Sequence, residues 1–265
     1  MKKILLFSAV VLLLVSCASV NPFTDEKPFV SAIAEDGKYI FTTTDYESFI
    51  SLPLDVERVS GSLDPDTGIL YGAIEGKFSK TIVTAAVNAS GQFDKIKGSS
   101  STYWIHKESK MEVAVPASGI ILFSTKDIES IYEKLFVEKE LSSLEPEIIN
   151  SLYSDVSGLY VKNPTELPKM DMDLTGFAVD RFDFILLVAD SESYDASFTL
   201  TTQEYTDSFF TILKAAYVTM LRQKGERPNT EYLSLIITKD EKTVHLLDQK
   251  LDKNYILQLI NGELI

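Results

Sequence analysis

The sequence predicts an α+β fold in which antiparallel sheets have helices packed on one face. Two observations predict this class. Short β-rich or alternating runs recur between turn signals, and amphipathic segments with helical spacing follow them. A third observation is the composition, because 265 residues with 45% hydrophobic and 24% charged side chains are enough to bury a core.

The first half of the chain predicts strands and helices in the order β-β-α-β-β-α, with a β-rich run at residues 37–44 before this order and one added strand at residues 120–124. Asp64–Gly68 has the sequence Asp-Pro-Asp-Thr-Gly, which is typical of a tight turn between two strands of a hairpin. The strands are predicted at residues 37–44, 55–63, 69–76, 101–106, 111–115 and 120–124. The helices are predicted at residues 79–89 and 127–136.

The second half predicts the same order of elements. Strands are expected at residues 182–189, 194–202, 232–238 and 243–247, and helices at residues 203–223 and 252–260. The repeated order is compatible with two similar β-β-α-β-β-α modules and with coincidence. It also leaves open whether the two halves share one sheet or stack on each other.

These patterns predict five regions along the chain. Residues 1–16 form a signal peptide, and residues 17–28 form a lipidated N-terminus with a polar tether that contains two prolines. Residues 29–140 and 171–265 form the first and second α+β modules. Residues 141–170 are predicted to link them, with a short helix near residues 146–153.

The N-terminus carries the most specific motif of the sequence. Lys2 and Lys3 precede an apolar run at residues 4–15, which is shorter than the roughly 20 residues that a membrane span needs. The run ends in Leu14-Val15-Ser16-Cys17. A positive segment, an apolar run and this four-residue motif, in that order, resemble the signal of bacterial lipoproteins, whose lipobox ends in a cysteine.

The resemblance implies that Cys17 takes a diacylglyceryl group and that cleavage falls between Ser16 and Cys17. Two or more acyl chains would hold the protein firmly on a membrane. Ala18, rather than Asp, follows Cys17, which in the enterobacterial sorting pattern favours the outer over the inner membrane. The predicted location is therefore the cell envelope, with the acyl chains on Cys17 as the membrane contact.

Charge and cysteine content exclude several kinds of partner. The formal net charge is −14, which repels phosphate backbones and disfavours nucleic acid. Cys17 is the single cysteine, so the chain has no internal disulfide and no thiolate zinc site. No cofactor or metal is predicted.

The two histidines, His106 and His245, are the first candidates for catalysis or metal binding, and both fall in or beside predicted strands. If the halves are duplicated, the two would occupy related places. A metal or acid–base site would need partners at suitable spacing, and neither a His-x-x-x-His motif nor a Glu at a metal-binding spacing accompanies either residue. We therefore interpret them as ordinary strand residues.

Acidic residues provide two further candidates. The Asp64–Gly68 segment superficially resembles a calcium loop but lacks a bidentate Glu at the required spacing, so a β-turn is predicted. Asp171, Asp173, Asp180 and Asp183 form an acidic cluster around Met172 that could serve glycoside hydrolysis. A solvated acidic surface is the expected alternative.

No nucleophile elbow, dinucleotide loop or phosphate loop occurs in the sequence. The sequence therefore predicts a non-enzymatic envelope lipoprotein that binds another envelope or surface component. Two alternatives stay open: a carrier or sensor of a small apolar ligand or lipid, and an envelope-glycan hydrolase. The aromatic residues fit core packing and an apolar pocket equally well.

Overall fold

The computed structural model describes residues 39–45, 54–64, 66–138, 144–154, 156–165, 172, 174, 176–190 and 192–250. Its strands are β1 (Tyr39–Thr43), β2 (Val56–Asp64), β3 (Ile69–Gly76), β4 (Phe93–Lys97), β5 (Thr102–His106), β6 (Glu112–Ala117), β7 (Ile120–Ser124), β8 (Ser157–Lys162), β9 (Phe182–Ala189), β10 (Ser193–Leu200), β11 (Ile237–Lys239) and β12 (Thr243–Lys250). Its helices are α1 (Lys80–Ser90), α2 (Ile128–Tyr132), α3 (Pro146–Ser154), α4 (Gln203–Gln223) and α5 (Thr230–Ile236). A π-helical segment (Glu133–Glu138) extends α2, and a 3₁₀ turn (Val179–Arg181) precedes β9.

The helix ends follow from local capping chemistry. The Thr202 side chain accepts a hydrogen bond from the backbone N–H of Tyr205 and begins α4. Asn229 accepts from the N–H of Glu231 at the start of α5. Helix α1 ends at Gly91, whose φ of 68° is the left-handed conformation that glycine adopts at low cost.

All strands in the described part of the chain belong to one antiparallel sheet of twelve strands, so the predicted α+β class is confirmed. The strand order is β11-β12-β10-β9-β8-β1-β2-β3-β7-β6-β5-β4. The two halves of the chain meet where β1 pairs with β8, with Tyr39 opposite Val161 and Thr43 opposite Ser157. The halves therefore share a continuous sheet rather than stacking.

From this central pair outward, both halves place their strands in the same order. The first, second and third strands lie side by side, and the last strand of each half returns beside the third. In the first half β7 pairs with β3, and in the second β12 pairs with β10. The matching order supports a duplication, which stays a prediction. Strands β4 and β5 have no counterpart among the described strands of the second half.

Helices lie on both faces of the sheet, which differs from the predicted single helical face. Successive strand residues point to opposite faces, so Ile121 and Leu122 of β7 belong to different cores. On the first face, α1, α4 and α5 cover the main core. On the second face, α2 packs on Ile120 and Leu122, and α3 packs on residues of β1 and β8. The chain has apolar residues on both sides of its central strands, and each side needs a cover.

Three elements differ from the sequence-based prediction. Strand β8 lies within the predicted linker, and five of its six residues are buried, so no alternation marks it as a strand. Helix α5 replaces the start of the strand predicted at residues 232–238, because Asn229 caps it and Leu233 and Ile236 share a buried face. Strand β4 was not predicted and forms one edge of the sheet.

Several predictions fall on residues that the structure does not describe. The signal peptide, the tether at residues 17–28 and the helix at residues 252–260 all lie outside the described residues. Within the described ranges, none of the helices combines the length and apolarity that a membrane crossing requires.

Candidate functional site

His245 contacts both a serine and an aspartate. Its Nδ1 lies 3.0 Å from Ser197 Oγ on the neighbouring strand β10, and its Nε2 lies 3.2 Å from Asp240 Oδ2. The sequence does not indicate that Ser197 joins His245 and Asp240, because β10 and β12 meet only in the folded sheet. A serine, a histidine and an aspartate in series are also the parts of a hydrolase triad.

The surroundings of Ser197 do not favour nucleophilic catalysis. Ser197 lies within β10, which pairs with β9 on one side and β12 on the other. The sheet therefore uses the backbone N–H groups that would have to stabilise an oxyanion. This geometry favours a structural role, in which His245 cross-links two strands and a hairpin turn.

Asp240 is the charged end of this chain of contacts. Burial raises the pKa of its carboxyl group, but hydrogen bonds from His245 and from the backbone of Thr243 and Lys242 lower that pKa. The net pKa lies below the ordinary value. The carboxylate therefore accepts from the turn backbone as well as from the imidazole, as expected for a turn aspartate.

His106 has a local role at the end of β5. Its Nδ1 lies 2.9 Å from Ser109 Oγ and accepts a hydrogen bond from the backbone N–H of Ser109. Its ring lies 5.0 Å from that of Phe93. Since β5 has no described counterpart in the second half, His106 and His245 do not occupy related places, contrary to the expectation from a duplication.

The acidic candidates that the structure describes lie in different local settings. Asp64 accepts hydrogen bonds from the N–H of Asp66 and the hydroxyl of Thr67, so the predicted turn is present and its carboxylate is engaged in it. Asp180 is exposed on the 3₁₀ turn, and Asp183 is half-buried in β9.

Asp171, Asp173, Ser16 and Cys17 lie outside the described residues. Among the residues that the structure describes, no group of three or more His, Cys, Asp or Glu side chains is arranged to hold a metal ion.

A cavity of about 260 Å³ opens where β5 and β6 part. The pairing of these strands ends at Tyr103 and Ala114, and a bulge interrupts the register of β6 between Ala114 and Ala117. Pro116 has no N–H to continue the ladder. The pairing of β5 with β6 therefore stops short of Pro116, and the cavity lies at this position.

The cavity is lined by basic, hydroxyl and apolar side chains. Its lining residues are Lys80, Thr84, Lys95, Ser101, Thr102, Trp104, Ala114, Val115, Pro116 and Tyr132. Sequence reasoning missed this site. The one available signal is Pro116 in a strand, which marks a bulge but does not reveal which side chains gather around it.

Two sets of contacts hold the walls of the cavity in place. Trp104 donates from its indole N–H to Asn88 Oδ1 at 2.9 Å, which fixes the orientation of the ring against α1. The loop before β5 is held from the second face, where the N–H of Ser100 donates to Glu129 and the hydroxyl of Ser100 donates to Glu133. These contacts position Ser101 beside the cavity.

Comparison with known proteins finds similarity in the fold and does not assign a function. No family model matches the chain, and no curated protein matches it significantly. The fold is similar to that of TP0453. Crystal form I of TP0453 aligns with a TM-score of 0.59 and 13% identity over 89% of this chain and 97% of that chain.

Two other crystal forms of TP0453 agree. Form IV aligns with a TM-score of 0.55 and form III with 0.54, each at 12% identity. Both alignments cover 88% of this chain, and they cover 96% and 98% of TP0453 respectively. The similarity to TP0453 thus spans nearly the whole described architecture, and at this identity it concerns the fold alone.

Proposed function

We propose that this chain is a lipid-anchored protein of the bacterial envelope that acts by binding another component rather than by catalysis. The lipobox Leu14–Cys17 supports the anchor, and the acyl chains on Cys17 provide the membrane contact. The acidic folded body supports a partner other than nucleic acid. Ala18 after the cysteine favours the outer membrane.

The observation that carries the binding role is the cavity between β5 and β6. It is a concave site with convergent polar groups, which is the usual form of a small-molecule site. Of the two kinds of component that the sequence leaves open, a macromolecular partner and a small ligand, this geometry favours the small ligand. The folded body is then a carrier or sensor held at the membrane.

A hydrolase is the weaker candidate. It would use either Ser197, whose neighbouring backbone donors are engaged in the sheet, or the carboxylates Asp180 and Asp183. The first geometry offers no oxyanion hole. The second pairs an exposed turn residue with a half-buried strand residue, and neither lines the cavity between β5 and β6.

The anchor is tested by metabolic labelling with a palmitate analogue in a bacterial host. The native chain should be labelled and should have the mass of a chain cleaved after Ser16, whereas Cys17→Ala should lose the label. Ser19→Ala, a change two residues away, should retain it. Equal or absent label in the native chain and Cys17→Ala would overturn the lipoprotein proposal.

The location and the binding role need separate measurements. Density-gradient fractionation should place the labelled chain in the outer membrane, and recovery in the inner membrane would overturn the sorting proposal. Native mass spectrometry of the full-length chain in a non-ionic detergent should detect a bound small molecule. Turnover of an envelope substrate by the purified chain, abolished by a His245 or Asp183 substitution, would instead make it an enzyme.

A further inference from the structure

The cavity between β5 and β6 is basic in an acidic protein. The chain has a formal net charge of −14, yet Lys80 and Lys95 both line this cavity. None of the described residues that line it is acidic. A site with two ammonium groups and no lining carboxylate attracts an anion by Coulomb forces, which strengthen as the occupant excludes water.

The geometry of the lysines leaves their charge available. Lys80 Nζ donates to the backbone carbonyl of Pro116 at 2.8 Å, which holds the ammonium group at the rim. An ammonium group has three donors, so two stay available after this bond. Lys95 Nζ lies 6.0 Å from the ring centroid of Trp104, above the aromatic wall.

Two hydroxyl groups of the cavity have no hydrogen-bond partner among the described residues. Thr84 Oγ1 on α1 and Ser101 Oγ before β5 are both buried from solvent. Buried polar atoms in native proteins are nearly always paired, so a rotation about χ1 that turned either hydroxyl to a ligand in the cavity would satisfy it. Hydroxyl groups can donate to the same anionic oxygens that the lysines attract.

Part of the wall is apolar. Trp104, Val115 and Pro116 form this part, and the hydrogen bond to Asn88 fixes the indole. A volume of about 260 Å³ is slightly below the range of about 300–1,000 Å³ typical of small-molecule pockets. The occupant is therefore small, with one polar end and one compact apolar end.

We infer that the cavity between β5 and β6 binds a small amphipathic anion, a carboxylate or phosphate ester with a short apolar chain, through Lys80, Lys95, Thr84 and Ser101. This inference rests on the proposed binding function and narrows it to a charged ligand. The anionic group lies against the lysines and hydroxyls, and the apolar group lies against Trp104. A purely apolar ligand would leave those polar groups unpaired.

Fluorescence of Trp104 gives a direct readout, because it is the single tryptophan of the chain and it lines the cavity. The full-length chain in a non-ionic detergent is titrated at constant ionic strength with hexanoate. Its neutral analogue hexanamide and inorganic phosphate are titrated in parallel. We expect a saturable change in Trp104 fluorescence with hexanoate. Hexanamide and phosphate should bind at least tenfold more weakly.

Variants separate the cavity from the rest of the surface. Lys80→Gln and Lys95→Gln should each weaken hexanoate binding about tenfold, and Thr84→Val should weaken it without changing a charge. Lys242→Gln removes the same charge from the exposed β11–β12 turn and should leave binding unchanged. Thermal unfolding of each variant confirms that it is folded.

The outcomes distinguish this inference from the proposed function. Equal binding of hexanamide and hexanoate would overturn the anionic ligand while leaving a binding protein. Equal binding of phosphate and hexanoate would overturn the inference that the ligand carries an apolar chain. Absence of any saturable change in Trp104 fluorescence, or hexanoate binding that all three cavity variants retain, would overturn the site. Absence of the palmitate label from the native chain would overturn the anchored role alone.

Discussion

Gly158 in β8 lies directly under Leu152 of α3. A Cβ atom at position 158 would come within 2.9 Å of the Cα of Leu152 and 3.0 Å of its carbonyl oxygen. Both are backbone atoms of a helix, so they cannot move without shifting α3. This contact explains how α3 approaches the central strands closely enough to bury Leu152 completely.

Gly158→Ala is therefore expected to destabilise the protein. Overpacking a tight contact costs about 1–3 kcal/mol, which urea-induced unfolding would measure as a lower midpoint. Gly176→Ala is the matched control, because a Cβ there meets no atom within 4 Å. A Gly158→Ala protein as stable as Gly176→Ala would show that α3 does not pack on β8 in this way.

Phe123 packs over Gly72 on the first face of the sheet, in a second contact that requires a glycine. A Cβ at position 72 would lie 2.0 Å from Phe123 Cζ, so the ring occupies the space that glycine leaves. Gly72→Ala should cost about 1–3 kcal/mol in the free energy of unfolding.

Truncating the ring tests that explanation. Phe123→Leu with Gly72→Ala should be less destabilised than the sum of the two single changes, because the clash disappears. Phe41 and Gly61 are an equivalent pair in β1 and β2 and serve as an internal replicate. Strict additivity at both pairs would contradict the packing.

Ser197 is expected to have a structural role only. Ser197→Ala removes a contact with His245 and should lower the free energy of unfolding by about 0.5–1.5 kcal/mol. Incubation with a fluorophosphonate probe should give the same label with the native chain and with Ser197→Ala. Labelling that requires Ser197 would make this chain a serine hydrolase and sink the non-enzymatic proposal.

The carboxylate of Asp190 should make the free energy of unfolding depend on pH under acidic conditions. Its pKa is lowered by hydrogen bonds from the backbone N–H groups of Ser193 and Glu192, from an ordinary value of 3.8. A folded pKa below the unfolded one adds stability above the unfolded pKa, and this contribution is lost as pH falls through the folded pKa. The effect should therefore be complete above about pH 5 and fade below the ordinary value.

Urea unfolding between pH 3 and pH 6 measures this effect. The stability difference between the native chain and Asp190→Asn should shrink as pH falls. Glu192→Gln removes a charge from the same turn, at a carboxylate that accepts no hydrogen bond from the described residues. The stability difference between the native chain and Glu192→Gln should depend less on pH. Equal pH dependence of the two variants would contradict a role for the Asp190 hydrogen bonds.

Elements with strong local signals could be predicted from the sequence. Helix α4 has the predicted bounds because its apolar residues repeat at helical spacing and Thr202 caps it. The hairpin of β2 and β3 was predicted because Asp64–Gly68 has the residues that a turn requires. Strand β8 could not be recognised, since burial on both faces removes the alternation that identifies a strand.

The candidate site depends on contacts that the sequence does not encode locally. Lys80, Lys95 and Ser101 belong to three different segments, and each looks like an ordinary surface residue in the sequence. The β4–β5 hairpin and the contact of Lys80 with the Pro116 carbonyl bring them around one cavity. Ser197 and His245 are likewise 48 positions apart and meet through strand pairing.

The sequence by itself determined the α+β class, most strands and helices, and the acidic charge, and it predicts the lipobox at Cys17. These properties depend on residue type and short-range periodicity, which can be read from neighbouring residues. Tertiary structure alone decided that the halves share one sheet across β1 and β8, that helices cover both faces, and where the cavity lies. Those features arise from pairing between distant strands, where the free energy depends on which surfaces meet rather than on any local pattern.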